Sequence, residues 1–530
     1  MGAPIAWFGR SDYTGGYMTE LERRLQATHP EYTRRLPEWT KARDFATGIN
    51  AMRAHDLALW AQGCASVTRD ASGVSRLPVA GALFATIAQS AYILPTSDRM
   101  TYTEYVLYLL RGHCPSYVAL TRSGYLGLIF STPPLIELPP SCPLLDDADL
   151  QETPLVEFVE DVLAEVLTVG RHGVLLDTPP VNQPGITVAE AERMGLRPYA
   201  ASYKAEDILD WRDARIGGRL VPVYYKLRER VRRGNGYDYD YRELVLEAGQ
   251  YKQIFYTRAN LDNDYSATET IPLKGGRPLT SIPFYMYSPR GGKRDIETPP
   301  LNDLIDLMHE YYQWAVEFAN ACFAVGIPTA AFFGFTDEEV QGITLGGLNG
   351  IHSVNENADA KYLEFTGQGL DALAARGVSI LTNIAKFGGR MLTQDKAAAE
   401  AATTVRIRAS AESATLADMA MACSRITEQW LQFALDWGFG GGKAVFSLNT
   451  EYMDFAPDAQ ILAELRNQVN DNLYALGDLI RYQRRVNLIN DSRTDEEILS
   501  ELEAQKEAAA EQAQVSAQSA LANTAARVGK

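Results

Sequence analysis

The stretch LNDLIDLMHEYYQWAVEFANACFAV, residues 301–325, has the strongest influence on the predicted fold. It contains neither glycine nor proline, and Gly326 and Pro328 follow it directly. The sequence therefore predicts one uninterrupted helix from Leu301 to Val325, with Asn302 as its N-cap. At 1.5 Å per residue, such a helix is about 37 Å long.

The apolar residues of this helix cover more than one stripe of its surface. A helix that is apolar over more than half of its circumference needs packing partners on two sides. The partners come either from the same chain or from other copies of it, and the residue pattern leaves both open. The residues expected at such a contact are Leu304, Leu307, Tyr311, Trp314 and Phe318.

Two further helices are predicted downstream, at Leu370–Ala385 and at Val405–Trp437. A glycine-rich segment from Phe332 to Gly369 separates the first two helices. Short strands are expected in this segment around Ile343, Ile351 and Tyr362.

Residues 1–150 are predicted to be mixed α/β, with helices at Thr19–Ala27 and Ala42–Gln62 and a proline-rich loop at Phe130–Cys142. After this region, apolar residues recur at intervals of three and four from Leu155 to Val169, which predicts a helix with one apolar face. Gly170 ends that helix, and the run Val174–Asp177 predicts a buried strand.

Residues 199–289 are predicted to be rich in β-strands. Gly234-Asn235-Gly236 lies between Val221–Arg233 and Tyr237–Leu246, a typical signal for a β-hairpin. The two strands place basic residues opposite acidic ones. This pattern indicates either a functional basic patch or a solvated ladder of cross-strand charges, and the ladder is the favoured interpretation. Further strands are expected at Tyr251–Arg258 and Ile282–Tyr287.

The composition limits the possible functions. The 530 residues are 46% hydrophobic and 22% charged, and the formal net charge is −17. Such an acidic chain is not expected to bind nucleic acid over its whole surface. The five cysteines are dispersed and odd in number, which predicts reduced thiols and no zinc or redox site. No apolar run approaches the roughly 20 residues of a membrane span, so no membrane association is expected.

Two features invite an enzymatic interpretation, and neither satisfies its motif. The loop Gly438–Lys443 lacks the first glycine and the final Ser or Thr of a phosphate-binding loop, and it follows a predicted helix. A glycine-rich helix terminator explains it better. His172 and Asp177 are a possible acid–base pair, although a histidine in a turn is the simpler interpretation. No catalytic residue, cofactor or metal is therefore expected.

Several short motifs occur in an order that resembles the portal, or head-to-tail connector, proteins of tailed bacteriophages. They are similar in particular to a portal-related family catalogued as a domain of unknown function. The likeness extends from about residue 150 to 505 and is loose before that. The motifs include Gly170–Asp177, Tyr203–Trp211, Ile282–Phe284, Pro300–Leu307, Tyr362–Gly367, Lys396–Thr404, Arg408–Ser410 and Leu476–Ile480, and Asp495–Glu503 resembles the end of many portal sequences.

The resemblance implies an α+β portal fold with a mixed α/β wing, a helical stem, a small β-containing clip, a long wing helix and a helical crown. The implied parts are a wing at 1–299 with a β-rich portion at 199–289, stem helices at 300–326 and 366–386, a clip at 327–365, a tunnel loop at 387–404, a wing helix with its following strand at 405–455, and a crown with a C-terminal tail at 456–530.

The resemblance also implies a ring, usually a homododecamer, at one vertex of a bacteriophage capsid in the virion, with subunits made in the host cytoplasm. Double-stranded DNA would pass through this channel during genome packaging and ejection. The implied partners are the terminase large subunit, head–tail adaptor proteins, and the major capsid and scaffolding proteins. ATP hydrolysis would belong to the terminase. The alternatives are another virion structural protein, such as a head-completion or minor capsid component, and a nucleotide-dependent enzyme.

Three basic residues of the tunnel-loop region, Lys386, Arg390 and Lys396, are hypothesised to contact the passing DNA. Pairing of the same side chains with acids on the adjacent subunit is an equally good interpretation. The five apolar residues of the 301–325 helix are the hypothesised stem and subunit interface.

Overall fold

The chain divides into two compact units, Met1–Thr450 and Glu451–Lys530. Only isolated residues between 452 and 504 are described in the second unit, so the predicted crown lies largely outside the described residues. The computed structural model describes residues 19–64, 91–94, 100–140, 142–179, 196–234, 236–260, 263–292, 294–326, 329–343, 351–363, 367, 369–386 and 402–450 of the first unit.

The first three helices are α1 (Glu20–Gln26), α2 (Pro30–Thr47) and α3 (Ile49–Cys64). A capping box between Thr19 and Glu22 begins α1. The single helix predicted over Ala42–Gln62 is wrong, because Gly48 with φ 114° separates α2 from α3. A backbone angle of that sign ends a helix and is strained for any other residue.

The helices α4 (Tyr102–Arg111) and α5 (Tyr117–Ile129) follow, and then a short strand, β1 (Leu135–Glu137). The described part of residues 1–150 is thus mainly helical, and β1 is the strand that it contributes to the predicted mixture of helix and strand. The loop prediction for Phe130–Cys142 missed β1. Its antiparallel partner is β14 (Val445–Ser447), some 300 residues away, so no local signal marks the pairing.

The predicted helix α6 (Leu155–Val169) is confirmed with the same limits, and Gly170 ends it in the left-handed conformation. The buried strand is also confirmed: β2 (His172–Asp177) is buried along its whole length. It forms the middle of a three-stranded antiparallel sheet between β3 (Tyr199–Lys204) and β11 (Phe284–Tyr287). A strand covered on both faces is expected to be apolar throughout, as this one largely is.

A second sheet has five antiparallel strands in sequential order. The predicted hairpin is confirmed, since Arg233 pairs with Gly236 at the turn. A 3-10 helix (Ala205–Asp207) leads into this sheet, and a small two-stranded hairpin, β9 (Leu273–Lys274) and β10 (Arg277–Pro278), follows it. The strands are β4 (Ile208–Ile216), β5 (Arg219–Arg233), β6 (Gly236–Glu247), β7 (Gln250–Thr257) and β8 (Ser266–Thr270).

The two sheets share one hydrophobic core. Leu175 and Phe284 of the smaller sheet and Tyr225, Leu227 and Leu244 of the larger one belong to the same buried cluster. Burial of each large apolar side chain contributes about 1.5–3 kcal/mol, so this cluster fixes the sheets against each other.

The predicted long helix is confirmed as α7 (Asn302–Gly326). After it come β12 (Thr329–Phe333), α8 (Asp337–Gly342), β13 (Asp359–Leu363) and α9 (Leu370–Ile384). The other two predicted helices are thus also present, as α9 and as α10 (Ala402–Gly438).

Candidate assembly site

One side of α7 is buried against other helices of its own unit. Leu304, Ile305, Met308, Tyr312 and Val316 are buried on this side, and α2, α4 and α5 pack against the helix. Leu304 is only 3% exposed, so its side chain lies in the core of its own chain. Of the five predicted interface residues, Leu304 is therefore the one that this structure covers completely.

The other four predicted residues form a second stripe along α7. Leu307, Tyr311, Trp314 and Phe318 are all half-buried. Their rings pack in sequence: the Tyr311 and Trp314 centroids are 5.3 Å apart, and Trp314 stacks on Phe318 at 5.3 Å. Aromatic pairs at this separation are favourable beyond their buried area. The stripe is therefore a continuous ladder on one side of the helix.

Part of this aromatic ladder is covered by α9 of the same chain. Trp314 donates a hydrogen bond from Nε1 to the carbonyl oxygen of Leu373 at 2.6 Å. A Cβ atom at Gly377 would lie 2.1 Å from the Trp314 ring, so only glycine permits this contact. The sequence left open whether the second packing partner of this helix comes from the same chain or from another copy. At Trp314 the partner is α9 of the same chain.

The helices α7 and α9 run antiparallel. Arg376 of α9 forms a salt bridge of 3.5 Å with Glu310 of α7, whereas Gly367, before α9 begins, approaches Val325 near the end of α7. The pair is thus a helical hairpin whose insert comprises β12, α8 and β13. Sequence reasoning missed the Gly377–Trp314 contact, although an isolated glycine inside a helical pattern is a known sign of close packing.

The outer side of α9 remains open in the single chain. Ile380 and Ile384 point inward and are buried, while Val378 is 65% exposed and Leu381 is 37% exposed. Isolated apolar residues on a surface are normal, but here two lie one helical turn apart on the helix that packs against α7. We call Leu307, Tyr311, Phe318, Val378 and Leu381 the hairpin face.

The insert between the two helices forms a small unit with exposed apolar side chains. β12 pairs with β13 in antiparallel register, from Thr329–Leu363 to Phe333–Asp359. Phe333 and Tyr362 are exposed on these strands. The strand expected near Tyr362 is confirmed. Ile343 and Ile351 themselves are not in a strand, and residues 344–350, on which the other two predictions also fall, lie outside the described residues.

A capping box fixes α8 within the insert. The Thr336 hydroxyl accepts a hydrogen bond from the Glu339 backbone N–H, and the Glu339 carboxylate accepts one from the Thr336 N–H. The same carboxylate accepts a hydrogen bond from the Val354 N–H at 3.0 Å. These backbone donors favour the charged form and lower the pKa of Glu339 to about 2.

Of the three hypothesised DNA-contacting residues, only one lies in the described part of the chain. Lys386 is exposed just after α9, and its Nζ is 3.4 Å from the side-chain oxygen of Asn383. Arg390, Lys396 and most of the predicted tunnel loop lie outside the described residues.

A short segment, residues 91–94, links α7 to the N-terminal helices. The carbonyl oxygen of Tyr92 accepts hydrogen bonds from His309 and Gln313 of α7, both at 3.1 Å. The Tyr92 N–H donates to the Asp56 carboxylate at 2.7 Å, and the Tyr92 hydroxyl donates to Asp44 at 2.8 Å. Sequence reasoning gave no signal for this polar junction, since its members are distant along the chain.

Burial has opposite effects on the pKa values of Asp56 and His309 in this junction. Asp56 is 1% exposed, and desolvation raises its pKa to about 7 despite the stabilising backbone N–H of Tyr92. Desolvation lowers the pKa of His309, because burial disfavours its charged form. Both side chains are therefore held in environments that favour neutrality.

The predicted charge ladder is present along the β5–β6 hairpin and its surroundings. Arg233 forms salt bridges with Asp238 at 3.1 Å and with Asp240 at 2.5 Å. Arg228 pairs with Asp207 at 3.2 Å. These contacts support the ladder interpretation for the paired residues.

The two candidate enzymatic features do not form active sites. His172 and Asp177 lie at opposite ends of β2, and His172 instead contacts the Ser202 hydroxyl at 2.9 Å. Desolvation lowers the pKa of His172 to about 4. In the loop Gly438–Lys443, Gly440 and Gly441 adopt positive φ, and Gly441 donates a hydrogen bond to the carbonyl oxygen of Leu435 in α10. This is a helix terminator, as the sequence predicts.

Metal binding and membrane crossing have no candidate residues in the described part of the chain. The described residues contain no group of three or more His, Cys, Asp or Glu side chains placed to hold a metal ion. Within the same part of the chain, no helix combines the length and apolarity that crossing a membrane requires.

Comparison with known proteins finds one family match, which covers about a quarter of the chain. Residues 300–438 match a family described as a domain of unknown function (DUF4055), a span that contains α7, the insert, α9 and α10. No curated protein matches the chain.

Some solved structures are similar to the chain at low sequence identity. A protein from the virion of a native gene transfer agent (GTA) particle is 11% identical, with a TM-score of 0.34, over 70% of this chain and 89% of its own. A protein from the neck of an empty GTA particle, computed with C6 symmetry, is 11% identical, with a TM-score of 0.34, over 77% and 95% of the two chains. A protein from the neck of a native GTA particle, computed with C12 symmetry, is 10% identical, with a TM-score of 0.31, over 68% of this chain and 86% of its own.

Proposed function

We propose that the chain is the subunit of a portal, a ring-shaped channel at one vertex of a bacteriophage capsid through which double-stranded DNA enters and leaves. The observation that carries this proposal is the antiparallel pair of α7 and α9, with an insert at one end and an open apolar face on its outer side. Identical copies of such a hairpin can pack side by side. A head-to-tail contact between copies closes into a ring when the rotation from one copy to the next is a whole fraction of 360°.

The hairpin face supports a contact between copies. Val378 and Leu381 are exposed, and Leu307, Tyr311 and Phe318 are half-buried, so a neighbouring hairpin that packed over these five side chains would remove them from water. Each apolar side chain buried in this way contributes up to about 1.5–3 kcal/mol. In this proposal α7 and α9 are the stem, the insert is the clip, and twelve subunits form the ring.

The partners follow from the same proposal. The exposed Phe333 and Tyr362 would place apolar side chains of the clip where the terminase large subunit and, later, head–tail adaptor proteins dock. The major capsid and scaffolding proteins would surround the wing. The subunit supplies a channel and no chemistry of its own.

Ring formation is tested with a charged substitution on the hairpin face. Val378→Asp would bury an unpaired carboxylate in the contact, which is costly, so the variant should remain a single copy when wild-type protein forms rings. Leu220→Asp is the matched control, because Leu220 is an exposed apolar residue at the β4–β5 turn. Images of negatively stained protein and mass measurements distinguish rings from single copies. Loss of rings in both variants would contradict a role for the hairpin face.

The hypothesised channel contacts need a separate test. Arg390→Glu and Lys396→Glu should change DNA packaging or retention while ring assembly stays intact, if these side chains contact DNA weakly and without sequence preference. Lys386→Glu is the corresponding change at the described residue. Simultaneous loss of assembly and packaging would instead show that the side chains pair with acids of the next subunit.

A further inference from the structure

One face of the β5–β6 hairpin carries arginines on one strand and tyrosines on the other. Alternation along β5 puts Arg228, Arg230 and Arg232 on the same side of the sheet. Across the hairpin, Arg230 pairs with Tyr239 and Arg232 with Tyr237. We call these five residues the Arg–Tyr face.

The arginines of this face are held by diagonal stacking on the tyrosine rings. The guanidinium carbon of Arg230 lies 3.9 Å from the ring centroid of Tyr237, and that of Arg228 lies 4.5 Å from the ring centroid of Tyr239. Stacking through the flat face of a guanidinium leaves its N–H edges available for hydrogen bonds. The N–H groups of Arg228 already donate to Asp207 and to the carbonyl oxygen of Glu206, so of these two stacked arginines it is Arg230 that is oriented in advance for an added planar acceptor group.

The acids near this hairpin are already paired, with Arg228 of the face and with Arg233. Asp207 binds Arg228, and Asp238 and Asp240 bind Arg233. Arg230 and Arg232 are both exposed, and no acid among the described residues lies within salt-bridge distance of either. Two positive charges of the face are therefore not neutralised within the described structure.

The face is also accessible from the side. Pairing of β4 with β5 begins at Ile208 and Leu227, so β4 does not extend alongside Arg228–Arg233. Tyr237 is 62% exposed near the tip of the same hairpin. A large ligand can therefore approach this end of the sheet without displacing a strand.

From these observations we propose that the Arg–Tyr face binds the phosphate backbone of double-stranded DNA without sequence preference. Alternate residues of a strand are about 6.6–6.8 Å apart, so Arg230 and Arg232 present two positive charges at a spacing that suits an evenly charged polymer. Guanidinium groups bind phosphate oxygens through paired N–H donors. The net charge of −17 does not prevent local binding, since salt screens charges beyond about 8 Å.

This surface is separate from the hypothesised channel residues, and the inference does not require ring formation. The test uses the full chain and a fluorescently labelled DNA duplex of about 30 base pairs. Fluorescence anisotropy gives Kd at several salt concentrations between about 50 and 200 mM. The variant is Arg230→Ala/Arg232→Ala. The control is Arg215→Ala/Arg219→Ala, which removes the same charge from exposed positions on the two sides of the β4–β5 turn, at the other end of β5 from the Arg–Tyr face.

The Arg230→Ala/Arg232→Ala variant should bind roughly tenfold or more weakly than wild type, and the slope of log Kd against log salt should fall by about 2. The control should behave as wild type. Equal weakening in both variants would overturn the inference, because it would reflect net charge alone. Absence of DNA binding by the wild-type chain would overturn it too. Binding of polyglutamate in place of DNA would identify an acidic protein partner and would equally contradict it.

Discussion

Trp314 of α7 and Gly377 of α9 are in direct contact, because the absence of a side chain at position 377 makes room for the indole ring. The same indole donates its N–H to the carbonyl oxygen of Leu373, one turn earlier in α9. This contact joins the two helices of the proposed stem. It makes the close approach of the two helices at this point dependent on a glycine at position 377.

The first prediction concerns this contact. In Gly377→Ala the new methyl group would lie 2.1 Å from the ring of Trp314, so α7 and α9 must separate or the ring must move. Overpacking of this kind costs about 1–3 kcal/mol, and thermal unfolding should occur at a lower temperature.

Gly127→Ala is the matched control, because Gly127 is an exposed position inside α5 with nothing within 4 Å of a Cβ atom. Alanine favours a helix over glycine by about 0.8–1.0 kcal/mol, so this variant should be slightly stabilised. If both variants unfolded at the same temperature, the close packing of Trp314 on position 377 would be refuted.

The second prediction is a pH dependence that comes from Asp56. Its pKa in the folded chain is about 7, above the ordinary value of 3.8, so the folded state binds the proton more tightly than the unfolded state. The resulting stability is fully present below about pH 3.8 and is lost as pH rises to about 7. Over that range the loss approaches roughly 1.4 kcal/mol per pH unit.

Asp56→Asn keeps an oxygen for the Tyr92 N–H and carries no charge. The free energy of unfolding of Asp56→Asn, minus that of wild type, should therefore increase from pH 5 to pH 7, because only the wild type loses stability over this range. Taking this difference cancels the contributions of neighbouring groups such as Asp44, His55 and His309. Asp303→Asn, a change at an exposed carboxylate of α7, is the control. A difference that stays constant with pH would show that Asp56 is ionised in the folded chain.

The third prediction concerns the buried charge pair between the two sheets. Asp177 of β2 accepts a hydrogen bond from Arg242 of β6 at 2.6 Å and another from Gln253 of β7 at 3.0 Å. Asp177→Ala would remove this partner and leave the buried guanidinium with Glu229, 2.8 Å from its Nε, as its remaining acid. Loss of one member of a buried pair costs about 3–5 kcal/mol, measurable by denaturant unfolding.

A surface pair provides the comparison. Glu247 contacts Lys252 at 2.7 Å, but its side chain is 68% exposed. Exposed pairs contribute little, so Glu247→Ala should unfold at the denaturant concentration of wild type. Equal stability of the Asp177→Ala variant would mean that the Arg242 charge is compensated in another way.

Local sequence signals predicted the elements of this fold better than their contacts. The helix α6 and its end at Gly170 follow from apolar spacing and one glycine, and the β5–β6 hairpin follows from its Gly-Asn-Gly turn. The pairing of β1 with β14 joins segments some 300 residues apart. No local propensity encodes such a pairing, because it is selected by the packing of the whole unit.

In the candidate site, too, the sequence predicted the element but not its contacts. The apolar residues of α7 were predicted, but the sequence could not distinguish Leu304, which its own chain buries, from Leu307, which stays half-exposed. That distinction depends on where α2, α4, α5 and α9 pack. The polar junction around Tyr92 was missed for the same reason, since it joins four separate segments.

The most direct test of the central claim is the mass of the full-length chain at micromolar concentration, measured together with images of the same sample. The portal proposal predicts closed rings with a central channel and a mass near twelve subunits, and it predicts that Val378→Asp abolishes them. Single copies of the chain under all conditions, with Val378 and Leu381 still accessible to solvent, would contradict it.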